Sequence, residues 1–499
     1  MKHNNLKINS ITSFALQIVT VLQGLIIPRL ILITFGSDVN GLVSSINQFL
    51  NFFSVLEGGI SGVILAALYK PLVKNDKELL SGIIVSATSF LKKLAYVFLI
   101  YSLILGVVYP FIKSDFSWLY TFSLIIIISI TNFIQYFYAI LPQLIVRADN
   151  RIHVYNITCI GFICINILMT IVCIRVLPEI HIVKLFSSLA FLIEPIILNK
   201  YVRKHYVIDK NATPNSNLIK SRWNGFGINI ANVITTNTDV IVLTLLSTLK
   251  NVSIYTIYYA IANALKGIVL SFGFGFQSLT GQEIAKNEKE KLQHYFNEYE
   301  FTNYNISCIL ISCCSVLIVP FIEIYTNGIS DANYSQPLFS FILCIAIFLL
   351  CIREPYIQLT YNAGLFKETQ GYAYTEAVIN VVISIILVKK MGLIGVAIGT
   401  AISAFYRFMV TIYFLKTHVL FRNVKKSIIN FFIFFIPFFT LSLISLFNVN
   451  YLGIASWIVH SIFTLFIVIV IYFIVDCLFF RNYLVSALKK INVFSKLKN

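Results

Sequence analysis

The sequence predicts an all-α integral membrane protein, with fourteen transmembrane helices arranged as two six-helix bundles and a C-terminal helix pair. Three observations predict it. Apolar segments of about 20 to 28 residues follow one another along almost the whole chain, each long enough to cross hydrocarbon as a helix. Only 12% of the 499 residues are charged and 58% are hydrophobic, with a mean hydropathy of +0.84, whereas a soluble domain carries roughly 25% charged residues. One long polar stretch divides the segments six before and eight after.

The spans begin near Thr12, Gly41, Leu94, Leu119, Val154 and Ile182, then near Gly225, Val252, Ile306, Pro337, Ala373 and Gly392, with a last pair from Ile428 and Ala455. Each must be a helix, because in hydrocarbon only a helix satisfies its own backbone polar groups, and a closed barrel would need alternating segments of about 10 residues. Met1 to Thr34 has no small-residue cleavage site before a polar region and reads as a retained first span. Lys and Arg concentrate on one side: Lys200, Arg203, Lys204, Lys210, Lys220 and Arg222 lie between spans six and seven. The opposite loops hold only Lys113, Arg175, Lys184, Lys250, Lys389 and Lys390. The positive-inside rule then puts both termini in the cytoplasm.

The polar stretch 202–222 is read as a cytoplasmic linker between an N-terminal bundle, 1–201, and a C-terminal bundle, 223–416; residues 417–499 form the additional helix pair and a basic tail. At an offset of 212 residues Phe14 meets Phe226, Ile18 meets Ile230, Val21 meets Val233 and Asn51 meets Asn263. Two sets of six spans entering from the same side predict a pseudo-two-fold axis along the membrane normal.

The net charge of +17 is a topogenic signal; no loop is long enough to build a nucleic-acid surface. The nine cysteines (Cys159, Cys164, Cys173, Cys308, Cys313, Cys314, Cys344, Cys351 and Cys477) show no C-x-x-C spacing and read as small apolar residues. The seven histidines form no metal-binding pair. No P-loop, nucleophile elbow or paired loop carboxylates are found, Gly273-Phe-Gly275 being a fragment inside a span, so the chain is not expected to be an enzyme.

The run Gly392-Leu-Ile-Gly395-Val-Ala-Ile-Gly399-Thr-Ala-Ile-Ser403 follows Asn380 and an apolar helix ending in Lys389-Lys390. With the Ala363-Gly364 turn and the six, six and two layout, it resembles the Wzx-type polysaccharide transporters, flippases of lipid-linked O-antigen repeat units. Their superfamily, MOP, also holds multidrug antiporters of the MATE type and lipid II flippases. The resemblance implies two bundles around a central lumen, lined by spans one, two, seven and eight and opening alternately to either side. It further implies a bacterial cytoplasmic membrane protein that carries a polyprenyl-pyrophosphate-linked oligosaccharide to the outer leaflet for surface polysaccharide synthesis, alongside other assembly proteins. The glycines also have a purely physical reading, since small residues let membrane helices approach closely.

Ionisable residues well inside the spans point to the same kind of site. Arg29, Glu57, Glu194, Asp239, Lys266, Arg353, Glu354, Glu376 and Arg407 lie mid-span, whereas Lys92, Lys93 and Asp476 sit near span ends and can snorkel. A charge at the bilayer centre costs roughly 2.5 to 3.5 kcal/mol on insertion scales, so these side chains should face a cavity or one another. Arg29 and Asp239 fall within two residues of equivalence at the offset of 212, and Glu57 and Lys266 within three. They are read as opposite-sign pairs facing across the lumen, prised apart by an anionic head group or else holding the bundles together. Arg29, Lys266, Arg353, Arg407, Asn51 and Asn263 are the candidate substrate residues, and Glu57 and Asp239 the candidates for coupling or gating. Asn47, Gln48, Asn229, Asn232, Asn237 and Gln277 add polar groups for sugars; Tyr255, Tyr258 and Tyr259 read as an aromatic belt or as sugar platforms. Pro28 beside Arg29 marks a kink that either serves packing or frees a carbonyl.

Two rival readings remain. A MATE-type multidrug or cation antiporter would need a cavity dominated by acids, and a membrane glycosyltransferase or polymerase a sizeable outer loop. With no nucleotide site and no cofactor expected, energy must come from proton or sodium exchange or from the membrane potential.

Overall fold

A computed structural model describes residues 2–57, 59–209, 211–214, 226–286, 288–420, 422–446 and 453–486. Lys210, Lys220 and Arg222, most of the second half of the stretch 202–222, the expected span start at Gly225 and the basic tail from 487 lie outside the described residues. Among the described residues there is no strand. Thirteen helices among the described residues are long and apolar enough to cross a membrane. The first, Ile8–Glu57, has 50 residues and would reach about 75 Å at 1.5 Å per residue, more than twice the ~30 Å hydrocarbon thickness. It breaks at Gly36, whose φ of 82° and ψ of 177° belong to a region open essentially to glycine alone. The two segments about that break, with the twelve remaining helices, supply the fourteen spans expected.

By packing, the chain divides into two compact units, Met1–Ser253 and Ile254–Asn499. The first holds α1 (Lys2–Phe52), α2 (Ser54–Glu57), α3 (Ile60–Lys74), α4 (Lys77–Ile112), α5 (Trp118–Ile134), a π-turn (Gln135–Ala139), α6 (Ile140–Ala148), α7 (Ile152–Val176), α8 (Ile180–Ala190), α9 (Ile193–His205) and α10 (Phe226–Leu246). It also takes the first turn of α11 (Leu249–Ala285). Helix α4 starts where Asp76 accepts from the Leu79 N–H at 2.9 Å, satisfying one orphan donor. Helix α9 ends on Arg203 and Lys204, cations that suit the negative end of its dipole. The core is built from Ile46, Leu50, Ile64, Leu68, Ala87, Leu91 and Ile125. Phe53 meets Phe98 and Tyr136 edge-on, with ring centroids 5.0 and 5.5 Å away. The start of α1 is tied to α7 by Asn156, which donates to Thr12 and Ser13, and by Asn9, which accepts from the His153 N–H.

The second unit continues α11 and adds α12 (Lys289–Tyr325), α13 (Pro337–Ile352), α14 (Glu354–Asn362), α15 (Phe366–Met391), α16 (Leu393–His418), α17 (Val424–Leu443) and α18 (Ile454–Phe479). The glycine run acts through close packing. A Cβ on Gly395 would lie 2.6 Å from the Leu387 carbonyl carbon and one on Gly399 2.3 Å from Ser384 Oγ, so α15 and α16 touch backbone to backbone. Gly392, at φ 54°, makes the turn between them. Only Val468, Tyr472 and Asp476 of α18 are buried, one stripe at four-residue spacing; Phe463, Phe466 and Leu478 are left exposed for lipid. Cys308, Cys344 and Cys351 are buried and no cysteine is paired among the described residues, whereas Cys164 and Cys477 are exposed.

Candidate functional site

Three groups of polar side chains stand out, one in the first unit and two in the second. In the first unit, the part of α1 beyond Gly36 presents Gly41, Ser45 and Gln48 at helical spacing, so small and neutral polar residues share one face. Opposite them lie α10 and the start of α11. Ser45 Oγ lies 2.7 Å from Thr244 Oγ1 and accepts from the Tyr109 hydroxyl of α4 at 2.7 Å. Asn40 Nδ2 donates to Ser253 Oγ at 2.8 Å, and Gln48 Nε2 donates to Asn237 Oδ1. At the same end Lys250 Nζ lies 3.7 Å from Asp38 Oδ2, and Lys113 Nζ donates to the Ser247 carbonyl. The approach is so close that a Cβ on Gly41 would sit 1.9 Å from the Leu249 carbonyl oxygen. The seam is therefore a hydrogen-bonded strip of neutral side chains with one exposed ion pair at its end.

In the second unit charged side chains are buried among the neutral ones. Arg353 occupies the break between α13 and α14, which Pro355 enforces by having no N–H to give to the preceding turn. Its Nη1 is paired with Glu376 Oε1 of α15. Arg407 of α16, 2% exposed, places Nε 4.0 Å from the other Glu376 oxygen and donates from Nη1 to the Thr369 carbonyl at 3.1 Å. Glu354 lies within electrostatic reach of Arg353, Arg407 and Lys266. Three cations thus face two carboxylates, leaving one net positive charge. The Nε atoms of Arg353 and Arg407 are buried with no acceptor among the described residues.

A second ionic group is built on Glu300 of α12, which does not register among the mid-span charges because it sits in the polar first half of a long helix. Arg422 Nη2 reaches both Glu300 oxygens, at 2.8 and 3.1 Å, and Tyr356 and Asn430 donate to the same carboxylate. Arg422 lies in the turn between α16 and α17. Burial pulls its pKa down, but the Glu300 carboxylate outweighs this with the help of Tyr356, so the guanidinium is held above its usual value and stays charged. In the sequence Arg422 is one more basic residue beside an apolar span, and it carries no signal of its partner.

The remaining expected residues are placed as follows. Arg29 is half-buried in the first part of α1, and Asp239 is buried in α10. Glu57 accepts from Ser61 Oγ. Lys266 is half-buried on α11; Asn51 and Asn263 are exposed. Asn47 donates to the Val43 carbonyl of its own helix. Tyr258 is fully buried and donates to the Tyr334 carbonyl at 2.7 Å, a packing role that fits neither the aromatic belt nor a sugar platform. Asn380, in the glycine-run signature, donates to Thr400 Oγ1 at 3.0 Å and joins α15 to α16. Among the described residues no three metal-binding side chains gather.

The sequence matches no protein-family model and no curated protein. Solved structures do match. A lipid II flippase, MurJ, in an inward closed conformation aligns at TM-score 0.71 and 16% identity, over 95% of this chain and 99% of its own. An inward-facing multidrug resistance MATE family transporter of the MOP superfamily aligns at 0.64 and 13% identity, over 84% and 99%. The MATE multidrug transporter DinF-BH aligns at 0.63 and 14%, over 84% and 97%. This multi-pass membrane protein therefore has the fold of the MOP-superfamily transporters and flippases.

Proposed function

We propose that the protein is a MOP-type flippase that moves a polyprenyl-pyrophosphate-linked oligosaccharide from the cytoplasmic to the outer leaflet by alternating access, as the Wzx-type transporters it resembles do. The observation that carries this reading is the net positive cluster of buried Arg353, Arg407 and Glu376 with half-buried Lys266 and Glu354. A pyrophosphate head must cross a low-dielectric core, and fixed cations lower that barrier by supplying opposite charge. Guanidinium N–H groups with no acceptor among the described residues are ready donors for phosphate oxygens. The match to a lipid II flippase covers more of this chain than either MATE match, which supports a lipid-linked cargo.

On this reading the protein lies in the bacterial cytoplasmic membrane with both termini inside. The seam of Asn40, Ser45, Thr244 and Ser253 then closes the outer end of the passage. Arg29, Asn51 and Asn263 contact the cargo, and Glu57 and Asp239 serve coupling to protons or sodium. The rival reading, a multidrug antiporter, is kept open by the MATE structures on the same fold.

Native mass spectrometry of the purified protein separates the two. It is offered a polyprenyl-pyrophosphate oligosaccharide and a lipophilic cationic dye, then tested again as Lys266→Ala. Selective retention of the anionic lipid, weakened about tenfold by the substitution, is expected and leads to a flipping assay in liposomes with imposed proton or sodium gradients. Preference for the dye sinks the flippase reading and turns attention to Glu57 and Asp239.

A further inference from the structure

We propose that the first unit carries a binding groove for an anionic diacyl phospholipid on the face formed by α9 and the π-turn. A groove of about 490 Å³ opens there. On α9, Ile196 stands three and four residues before Asn199 and Lys200, and Arg203 four and three residues after them, so the four form one stripe. The stripe changes character along the helix. Ile196, 62% exposed, lies beside Pro195 toward the start of the helix, whereas both cations lie in its last two turns. From Ile196 to Arg203 the helix rises about 10 Å, the distance that separates acyl chain from phosphate at a membrane surface.

The wall opposite is made by an irregularity. The π-turn Gln135–Ala139 widens the helix by one residue, a distortion frequent at functional sites. It brings the Tyr138 carbonyl to Asn199 Nδ2 at 3.1 Å, which pins α9 against the turn and leaves the Tyr138 ring, 51% exposed, on the rim. An aromatic ring with a hydroxyl suits the head-group level. Lys200 and Arg203 are like charges three residues apart on one helix face, an arrangement that is repulsive without an anion between them. Among the described residues no carboxylate lies within ion-pair distance of either. A phosphate bridging the two cations, with its chain along Pro195 and Ile196, satisfies both halves of the groove. A soluble phosphate would leave the apolar half uncovered, and a zwitterionic lipid would bring its own cation to the basic end.

The test uses the delipidated full-length protein with dioleoylphosphatidylglycerol, dioleoylphosphatidylcholine or inorganic pyrophosphate, bound lipid being counted by native mass spectrometry. Phosphatidylglycerol is expected to bind in preference to phosphatidylcholine, and the double variant Lys200→Ala, Arg203→Ala to weaken it about tenfold. Ile196→Trp, which fills the apolar half without touching charge, is expected to weaken it too. Lys204→Ala, which removes a neighbouring cation off the stripe, should leave it unchanged. Wild-type binding by the double variant, an equal loss in Lys204→Ala, or full displacement by pyrophosphate would each overturn the site. These lipids carry no saccharide, so the outcome is independent of the flippase reading.

Discussion

The seam of the first unit and the ionic clusters of the second solve the same problem, polar groups inside a membrane protein, with different chemistry. Along the seam the partners are neutral: Asn40 with Ser253, Ser45 with Thr244 and Tyr109, Gln48 with Asn237. In the clusters they are charged and buried: Glu376 between Arg353 and Arg407, Glu300 under Arg422. A neutral interhelical hydrogen bond in a membrane is worth about 0.6 kcal/mol on average, while removing one partner of a buried ion pair costs about 3–5 kcal/mol. A seam of the first kind can open and close within a transport cycle. A cluster of the second kind holds its helices in one arrangement or waits for a ligand that replaces its partner.

The largest effect should therefore come from the clusters. Glu376→Ala takes from two guanidinium groups the carboxylate they are paired with and leaves Glu354 to face three cations; it is expected to destabilise by about 3–5 kcal/mol, read as earlier thermal unfolding in detergent. Arg422→Ala strands Glu300 in the same way, with a loss at the lower end of that range because Tyr356 and Asn430 still donate to the carboxylate. The double variant Arg422→Met with Glu300→Leu removes both charges and should recover most of the loss. If either single variant melted like the wild type, the clusters would be no costlier to break than the seam and the comparison would fall.

How far the sequence foretells these regions follows from what hydropathy encodes. Span number and the packing of Gly395 and Gly399 are readable because length and small-residue spacing act locally. Arg353, Glu376 and Arg407 stand out one by one as charges inside apolar helices, yet sequence position fixes only their depth. Which face each presents depends on the break at Arg353 and on the crossing of α15 with α16, so their union is not legible in the sequence. Glu300 escapes notice because its helix begins as a polar, solvent-like segment, and nothing local distinguishes it from Glu298. The seam is the least legible. Ser45, Thr244 and Asn40 are ordinary polar residues within spans, and their meaning lies in partners about 200 positions away. Gly41 marks a span start in the sequence, but its reason, the Leu249 carbonyl against it, exists only in three dimensions.

Gly41 gives the intermediate prediction. The first methyl group added there meets a backbone oxygen, so one of the two segments must shift, and overpacking of this kind costs about 1–3 kcal/mol. Gly41→Ala should therefore separate α1 from the start of α11. A cysteine placed at buried Leu249, which leaves the Ser45–Thr244 link intact, should then react faster with a membrane-impermeant thiol reagent, after correction for the exposed native Cys164 and Cys477. Labelling no faster than in the Gly41 parent would show that the seam is not held by close approach.

The smallest effect should come from Ser45→Ala, and it is the sharpest test of the seam as a moving part. The substitution removes the acceptor for Tyr109 and the link to Thr244, whose hydroxyl keeps a bond to the Val240 carbonyl at 2.8 Å. Thr244 is left satisfied and only the Tyr109 hydroxyl loses its partner. The expected cost is about 0.6–1.7 kcal/mol, small in a melting curve but larger in a two-state equilibrium, where 1.4 kcal/mol is about a tenfold shift in population. Ser45→Ala should thus leave unfolding nearly unchanged while raising thiol labelling at position 249 several-fold. Ser45→Thr, which keeps the hydroxyl, should restore the slow rate. A variant that unfolds earlier without labelling faster would make Ser45 a fixed brace, and the seam would then differ from the ionic clusters in strength alone.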